Sequence, residues 1–544
     1  MGEVTNARVV VLGTGAAGLV AALSAYDEGA EVIVLEKSAK VGGTTALSGG
    51  VMWLPDNSLA RAGGVDDSRD DALSYLRSLS NGMILPEIAE AFVDHVDETL
   101  DWIAAHTPLD VHLVDGYPDY HPEHPGGKPG GGRSCEPELF SLERVGPWSE
   151  RIAGPPRRLR NRESPLGGGT GVLEPDVQRE REERSIEGGG RALVAGLLTA
   201  CLERGIEPRT EARAIRLVVD HGTVCGVEVD SPLGREVVRA DAVVIATGGF
   251  EHDPDLTRDF LRGPMSMPPG VPSNTGDGLR MAMRVGAALG NMREAWWVPV
   301  VRLPGERVDG GNNVALLLRE RTLPRSVMVN TAGRRFTNEA VNYNALGSAL
   351  HELHPVSLDY ANQPCWLVFD DEFVRRYGGF GSGPGSIPDW IARADSLAGL
   401  ADVVGLPSEA LASTVARWND LVAEGRDLDF GRGESAYDWW CGDRAVPPGR
   451  DSTLGPIEHG PFYAVEVISS CLGTKGGPRT TVAGQVVDVD GDPIPGLYAA
   501  GNAMAGPTGM VYGGAGGTLG PAVVFGRLAG RAAAMTKEHV HVSV

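Results

Sequence analysis

Apolar and polar positions along this chain fall into two recurring patterns. One is a short unbroken apolar run that ends in glycine. Val9-Val10-Val11-Leu12 is such a run and predicts a strand buried on both faces. The alanine-rich stretch after it predicts a helix ending near Gly29, and Glu31–Leu35 predicts a second strand. Ala242–Gly249 and Ile494–Asn502 repeat the pattern far downstream, each a strand running into a tight turn. The other pattern is periodic. Gly188–Leu198 predicts an amphipathic helix, and the segment from there to Val238 alternates like a small antiparallel sheet turning at Asp220-His221-Gly222. Thr275-Gly276-Asp277-Gly278 opens a helix expected to run to Gly290, and Leu397–Val422 is helical. Between Gly116 and Gly190 neither pattern holds. His121–Gly132 carries too much glycine and proline for a helix or strand, and the arginines and acids of 144–184 read as a solvated surface excursion or as a lid over a site. From about Trp296 to Pro461 tryptophan and tyrosine become more frequent, which marks an inserted, substrate-facing domain.

The opening strand runs into Gly13-Thr14-Gly15-Ala16-Ala17-Gly18. Each residue type here serves dinucleotide binding: Gly13 makes the turn, Gly15 admits a pyrophosphate to the backbone, and Gly18 lets helix and strand approach closely. The N–H groups of Ala16 and Ala17 open the helix whose positive end faces the phosphates. Glu36 closes the second strand, where a carboxylate accepts ribose hydroxyls. A nicotinamide enzyme would place a helix next. Here Val41-Gly42-Gly43-Thr44-Thr45 follows and continues into Ser48-Gly49-Gly50, a glycine-rich loop suited to lie along a larger cofactor. The turns Ala246-Thr247-Gly248 and Gly501-Asn502 join the same set, and Asp277 either caps its helix or meets the cofactor.

Composition narrows the classes. The chain has 544 residues, 22% of them charged, and 75 glycines, about twice the usual share. A net charge of −23 argues against nucleic acid or an anionic membrane as the main partner. Its six cysteines form no C-x-x-C pair and no zinc spacing, so free thiols in a reducing compartment are expected. His121 and His124 lack a third ligand at useful spacing, and no metal is expected. The start of the chain lacks a basic, cleavable leader, and no run reaches the ~18 apolar residues of a membrane span, so a cytoplasmic enzyme is expected.

Taken together, these segments resemble the fumarate reductase/succinate dehydrogenase flavoprotein family over about Val9 to Gly530. The dicarboxylate branch carries cationic His and Arg before the last helix to hold a dianion. Gly509-Met510-Val511-Tyr512-Gly513-Gly514-Ala515-Gly516-Gly517-Thr518-Leu519 has neither. Gly43 stands where succinate dehydrogenases attach flavin through histidine, so the resemblance implies non-covalent FAD. The Tyr512 segment instead resembles the 3-ketosteroid Δ1-dehydrogenase branch. Arg319–Tyr343, Gly116–Glu136 and Gly473-Thr474-Lys475-Gly476-Gly477 resemble that branch too. Two departures stand out, Gly-Gly-Ala-Gly after Tyr512 and Asn342 before Tyr343, each where that branch usually has proline.

The resemblance implies an α/β fold in which a discontinuous Rossmann-type FAD-binding domain, 1–296 and 466–544, carries an inserted α+β substrate-binding catalytic domain at 297–465. It adds Lys37, Ser38, Ala212, Gly517, Thr518 and Leu519 to the flavin cradle. It also implies 1,2-desaturation of a 3-ketosteroid or related cyclic ketone. Tyr343 would remove the α-proton with Tyr120 beside it, Tyr512 and the Gly516 N–H would hold the ketone oxygen, and FAD would take the β-hydride. Trp296, Trp297 and the Met265–Pro269 loop are candidate apolar walls. The departures leave open a smaller ring ketone or the sister 4-dehydrogenation of a 5α-steroid; enone reduction and a flavin-binding role without turnover rank below these. The electron acceptor is left open.

Overall fold

The computed structural model describes residues 4–6, 8–307 and 310–536. Val9–Leu12 does form a central strand, paired in parallel with Val32–Leu35 on one side and Ala242–Ile245 on the other. Ala242–Ile245 pairs in parallel with Pro493–Ala499, and Gln485–Val487 closes the edge antiparallel. All four residues of Val9–Leu12 are buried, as expected for a strand covered on both faces. The last strands therefore return to the first sheet after more than two hundred residues spent elsewhere.

Helix Ala16–Asp27 covers this sheet and is locked to the last helix, Leu519–Ala534, by glycine. A Cβ at Gly526 would lie 2.7 Å from the Ala17 carbonyl oxygen, and one at Gly530 would lie 2.3 Å from that of Ala21. Beneath them, every residue of Gly189–Cys201 is buried. The helix at 189–203 is thus enclosed rather than amphipathic, because helix Ala16–Asp27 and the 43–50 segment cover the side expected to face water.

Arg213–Asp220, Thr223–Ser231 and Gly234–Arg239 form the expected antiparallel sheet, extended by Val4–Asn6. The helix at Asp277 ends at Arg284, short of Gly290: Gly286 turns left-handed (φ +83°), and Leu289–Gly290 pairs with Gly477–Pro478. A second sheet is built from Val314–Leu316, Ala295–Arg302, Phe462–Thr474, Cys365–Asp370 and Ser326–Asn330. Its long strand, Phe462–Thr474, runs through the position 465/466.

Gly131–Pro137 is a fully buried strand between Val111–Asp115 and Met52–Trp53, inside the 116–190 stretch expected to be loop and insertion. Packing supplies the reason, since a Cβ at Gly131 would lie 2.5 Å from the Tyr117 carbonyl oxygen and one at Gly132 2.6 Å from Val65. The charged stretch that follows is not simply solvated. Asn161, Arg181, Glu187 and Arg191 are buried in a web of ion pairs. All six cysteines are free, five of them buried, and among the described residues no helix is long and apolar enough to cross a membrane.

Candidate active site

A cavity opens where the parallel strands of the first sheet end and the second sheet begins. Gly13 (φ +103°) turns the chain there, and a Cβ on it would lie 2.4 Å from the Ala246 carbonyl oxygen. Gly18 would meet Gly13 at 2.1 Å, so the helix reaches the strand as closely as a dinucleotide turn requires. Gly15, Ala16 and Ala17 face the cavity with the helix N-terminus. The buried Glu36 carboxylate also borders it, and accepts the Thr14 hydroxyl at 2.6 Å and the Ser38 N–H at 2.9 Å. Ala212, Lys37 and Asp277 extend this end. Asp277 is the first helical residue after Gly276, and its side chain does not cap. Burial works against its charge, but hydrogen bonds from Arg213 and Lys37 prevail and hold its pKa below the ordinary range.

The 43–50 segment forms one short helix, Gly43–Leu47, rather than an open loop. Thr45 Oγ accepts the Ala16 N–H at 3.1 Å and Thr44 Oγ accepts the Asn274 amide at 3.1 Å, tying this wall to the first helix and to the 274 loop. Gly43, Ser48, Gly49 and Gly50 line the cavity, as do Ala246, Thr247, Gly248, Gly501, Asn502, Thr518 and Leu519. Gly18, Ser38, Gly42 and Gly517 do not line it; they shape it from behind, Gly42 against Val194 and Gly517 against the Tyr512 ring. The continuous glycine-lined trough, with a buried acid at one end and a helix N-terminus midway, fits FAD.

At the far end three tyrosines meet. The Tyr120 hydroxyl donates to the Tyr343 hydroxyl at 2.7 Å, with the rings edge to face at 5.2 Å. Tyr512 stands 5.1 Å from Tyr120 and 5.5 Å from Tyr343, again edge to face. Each is fixed by its own element. Tyr343 begins helix Tyr343–Leu350, whose cap is Asn342: the Asn342 side chain accepts the Ala345 N–H at 3.0 Å and donates to the Tyr120 carbonyl at 3.2 Å. A proline at 342 could do neither. The Tyr120 N–H donates to the Gly513 carbonyl, and Trp53 fills the space that side chains at 513 and 514 would need. Gly516 holds φ +97° with its Cβ position 2.5 Å from the Val51 carbonyl oxygen, so only glycine fits.

Tyr117, three residues before Tyr120, stacks on Trp440 at 5.1 Å and also reaches the cavity. Burial raises the pKa of Tyr120, Tyr343 and Tyr512 above the ordinary phenol value of 10.0. For Tyr343 the bond from Tyr120 works against this, and for Tyr512 the Tyr343 and Thr518 hydroxyls and the Gly516 backbone do. All three are neutral phenols at pH 7.

Some expectations are corrected. Trp296 packs against Tyr512 at 4.6 Å from outside the cavity, and Trp297, on the opposite face of the same strand, is fully buried against His351. Of the Met265–Pro269 loop only Pro269 lines the chamber; Leu166, Leu316, Leu318 and Leu472 supply its apolar wall. Spacing also missed Glu123. A turn closed by the His124 N–H on the His121 carbonyl brings ligand atoms of His121, Glu123 and His124 within 4.8 Å of one another. Arg157 and Asn161 line the cavity from the stretch read as surface or lid.

The family model of the FAD binding domain matches residues 8–519. Over 534 residues the chain is 40% identical to the 4-oxocyclohexanecarboxylate 2-dehydrogenase of Sinomonas cyclohexanicum, covering 96% of this chain and 92% of that one. It is 37% identical over 565 residues to the 3-oxosteroid 1-dehydrogenase of Mycolicibacterium smegmatis, covering 96% of each. The crystal structure of the 3-ketosteroid Δ1-dehydrogenase of Sterolibacterium denitrificans with 1,4-androstadiene-3,17-dione superposes with a TM-score of 0.89 at 33% identity, over 98% of this chain and all of that one.

Proposed function

The chain belongs to the FAD binding domain family, in the branch of the 3-ketosteroid Δ1-dehydrogenases, and from that premise we propose that it desaturates a cyclic ketone next to its carbonyl with FAD held non-covalently. The observation that carries this reading is the hydrogen-bonded Tyr120–Tyr343 pair beside Tyr512 and Gly516, at one end of the chamber that the dinucleotide turn opens. The relatives act on a steroid or on a single-ring ketone, and both substrate classes share the reacting unit.

Bound FAD supplies the hydride acceptor. The chain supplies the rest. Tyr512 and the Gly516 N–H hold the ketone oxygen, which takes negative charge as the α-proton leaves; one such donor is worth roughly 2.7–4 kcal/mol. The α-proton goes to the Tyr343 oxygen in its phenolate form, whose share grows as pH rises toward the raised pKa. The hydrogen bond from Tyr120 favours the charged form of Tyr343, and Tyr120 relays the proton onward. The β-hydrogen departs with its electron pair, and the carbon–carbon double bond forms. Aromatic and leucine side chains around the tyrosines exclude water, which strengthens every polar contact in the site.

The test is anaerobic mixing of the purified holoprotein with 4-androstene-3,17-dione and, separately, with 4-oxocyclohexanecarboxylate. Flavin bleaching with at least one is expected. A flavin that stays oxidised with both would overturn the reading.

A further inference from the structure

Among the described residues, one arginine of the 157–191 stretch stands without an ion-pair partner. Arg158, Arg160, Arg162, Arg181 and Arg191 are each paired with a carboxylate, drawn from Glu136, Glu138, Glu163 and Glu187. Among the described residues Arg157 has no such partner. Its Nε is buried with no hydrogen bond, and the Glu187 carboxylate that meets its backbone N–H is taken by Arg191. Glu136, the acid that acts on it through space, is occupied by Arg162 and by the Asn161 and Arg162 N–H groups. Four residues on, Asn161 is buried with its amide Nδ2 unpartnered. Both side chains line the cavity.

Their place in the chamber is set by Gly49. The Asn161 Oδ1 lies 3.2 Å from where a Gly49 Cβ would be, and the Gly49 carbonyl and the Arg157 side chain both flank Gly189. Two residues after Gly49, the Val51 carbonyl borders Gly516, and two residues span at most about 7 Å. The same loop continues to Leu166, which packs among Tyr117, Tyr120 and Tyr343. A cation and an amide donor therefore line the same cavity as Gly516 and the tyrosines, joined to Gly516 through the Gly49–Val51 segment. A largely buried guanidinium without an ion-pair partner is costly unless an anion joins it, and a guanidinium fork with a nearby amide matches one carboxylate.

Resting on the desaturase reading, we infer that the substrate is a single-ring ketone bearing a carboxylate, with Arg157 and Asn161 as the carboxylate site. One cation suits a monoanion and not the dicarboxylates of the fumarate branch. A neutral steroid would leave Arg157 unanswered.

The experiment compares 4-oxocyclohexanecarboxylate, its methyl ester and 4-androstene-3,17-dione in the holoprotein and in Arg157→Gln and Arg157→Lys. Flavin content is read first. The inference expects retained flavin, wild-type preference for the acid, and in Arg157→Gln a KM for the acid raised roughly 10- to 100-fold with a far smaller shift for the ester. Arg157→Lys should recover part of the loss. Equal use of acid and ester, preference for the steroid, equal losses on acid and ester in Arg157→Gln, or loss of flavin from that variant would each overturn the carboxylate site while leaving the desaturase reading standing. Only the absence of bleaching with all three would take both down.

Discussion

The dinucleotide end of the chamber and the tyrosine end are built on opposite plans. Gly13, Gly15, Gly18 and Glu36 lie within two dozen residues, and their geometry follows from two strands, one turn and one helix. Tyr120, Tyr343 and Tyr512 come from a loop, a helix start and a glycine-rich turn hundreds of residues apart, and meet only because two sheets converge. A local device tolerates change around it but not within it. A distributed one depends on every element that delivers a part.

The largest expected effect falls on the local device. Gly18→Val would force a side chain into the Gly13 carbonyl, where even a Cβ sits at 2.1 Å. Overpacking of this kind costs roughly 1–3 kcal/mol or more, and the purified protein is expected to be colourless, read by flavin release on denaturation. Yellow, fully loaded protein would break the comparison. Next comes Tyr343→Phe, which leaves the glycine turn untouched: FAD stays bound while turnover falls roughly 10²–10⁴-fold, measured by anaerobic flavin bleaching. Near-normal bleaching would remove Tyr343 as the base.

Gly516→Ala follows with a smaller effect. Its positive φ and the 2.5 Å approach to Val51 displace the N–H proposed to hold the ketone oxygen, so kcat should drop about 10²–10³-fold with flavin retained. Because burial raises all three phenol pKa values, the wild-type rate should climb with pH through the alkaline range rather than level off near neutrality.

The smallest effect concerns the seam between the two ends. Glu251 is buried between Asn274 and Thr474, with one oxygen accepting the Asn274 amide at 2.7 Å and the other unpartnered. Burial pushes its pKa from 4.5 up to about 7. The folded protein thus holds a proton that the unfolded chain has released between those values. Stability from this group is full below about 4.5, falls as pH rises through the window, and is lost above 7. Glu251→Gln should therefore raise stability at pH 8 by about 1–3 kcal/mol and change little at pH 5, read by denaturant unfolding. Equal effects at both pH values would place the proton elsewhere.

Read from one strand to the next, the residues alone determined the opening strand–turn–helix, the acid after the second strand and the two distant strands that join the same sheet. Their signals are short-range: β-branched runs, glycine where a Cβ cannot fit, and a helix N-terminus after both. That these tyrosines meet was legible only through resemblance, since nothing local distinguishes Tyr120 from Tyr117, yet one meets Tyr343 and the other stacks on Trp440. What only the tertiary structure decided is of another kind. It enclosed the helix at 189–203, made a buried strand of Gly131–Pro137, turned Asn342 into a helix cap, put leucines in place of Trp296 and Trp297 along the wall, and left Arg157 without a partner inside the chamber. Each of these depends on which surfaces meet across long separations. Burial, close approach and ion pairing are properties of a pair of surfaces, and a residue's own neighbours in the chain carry no record of its partner.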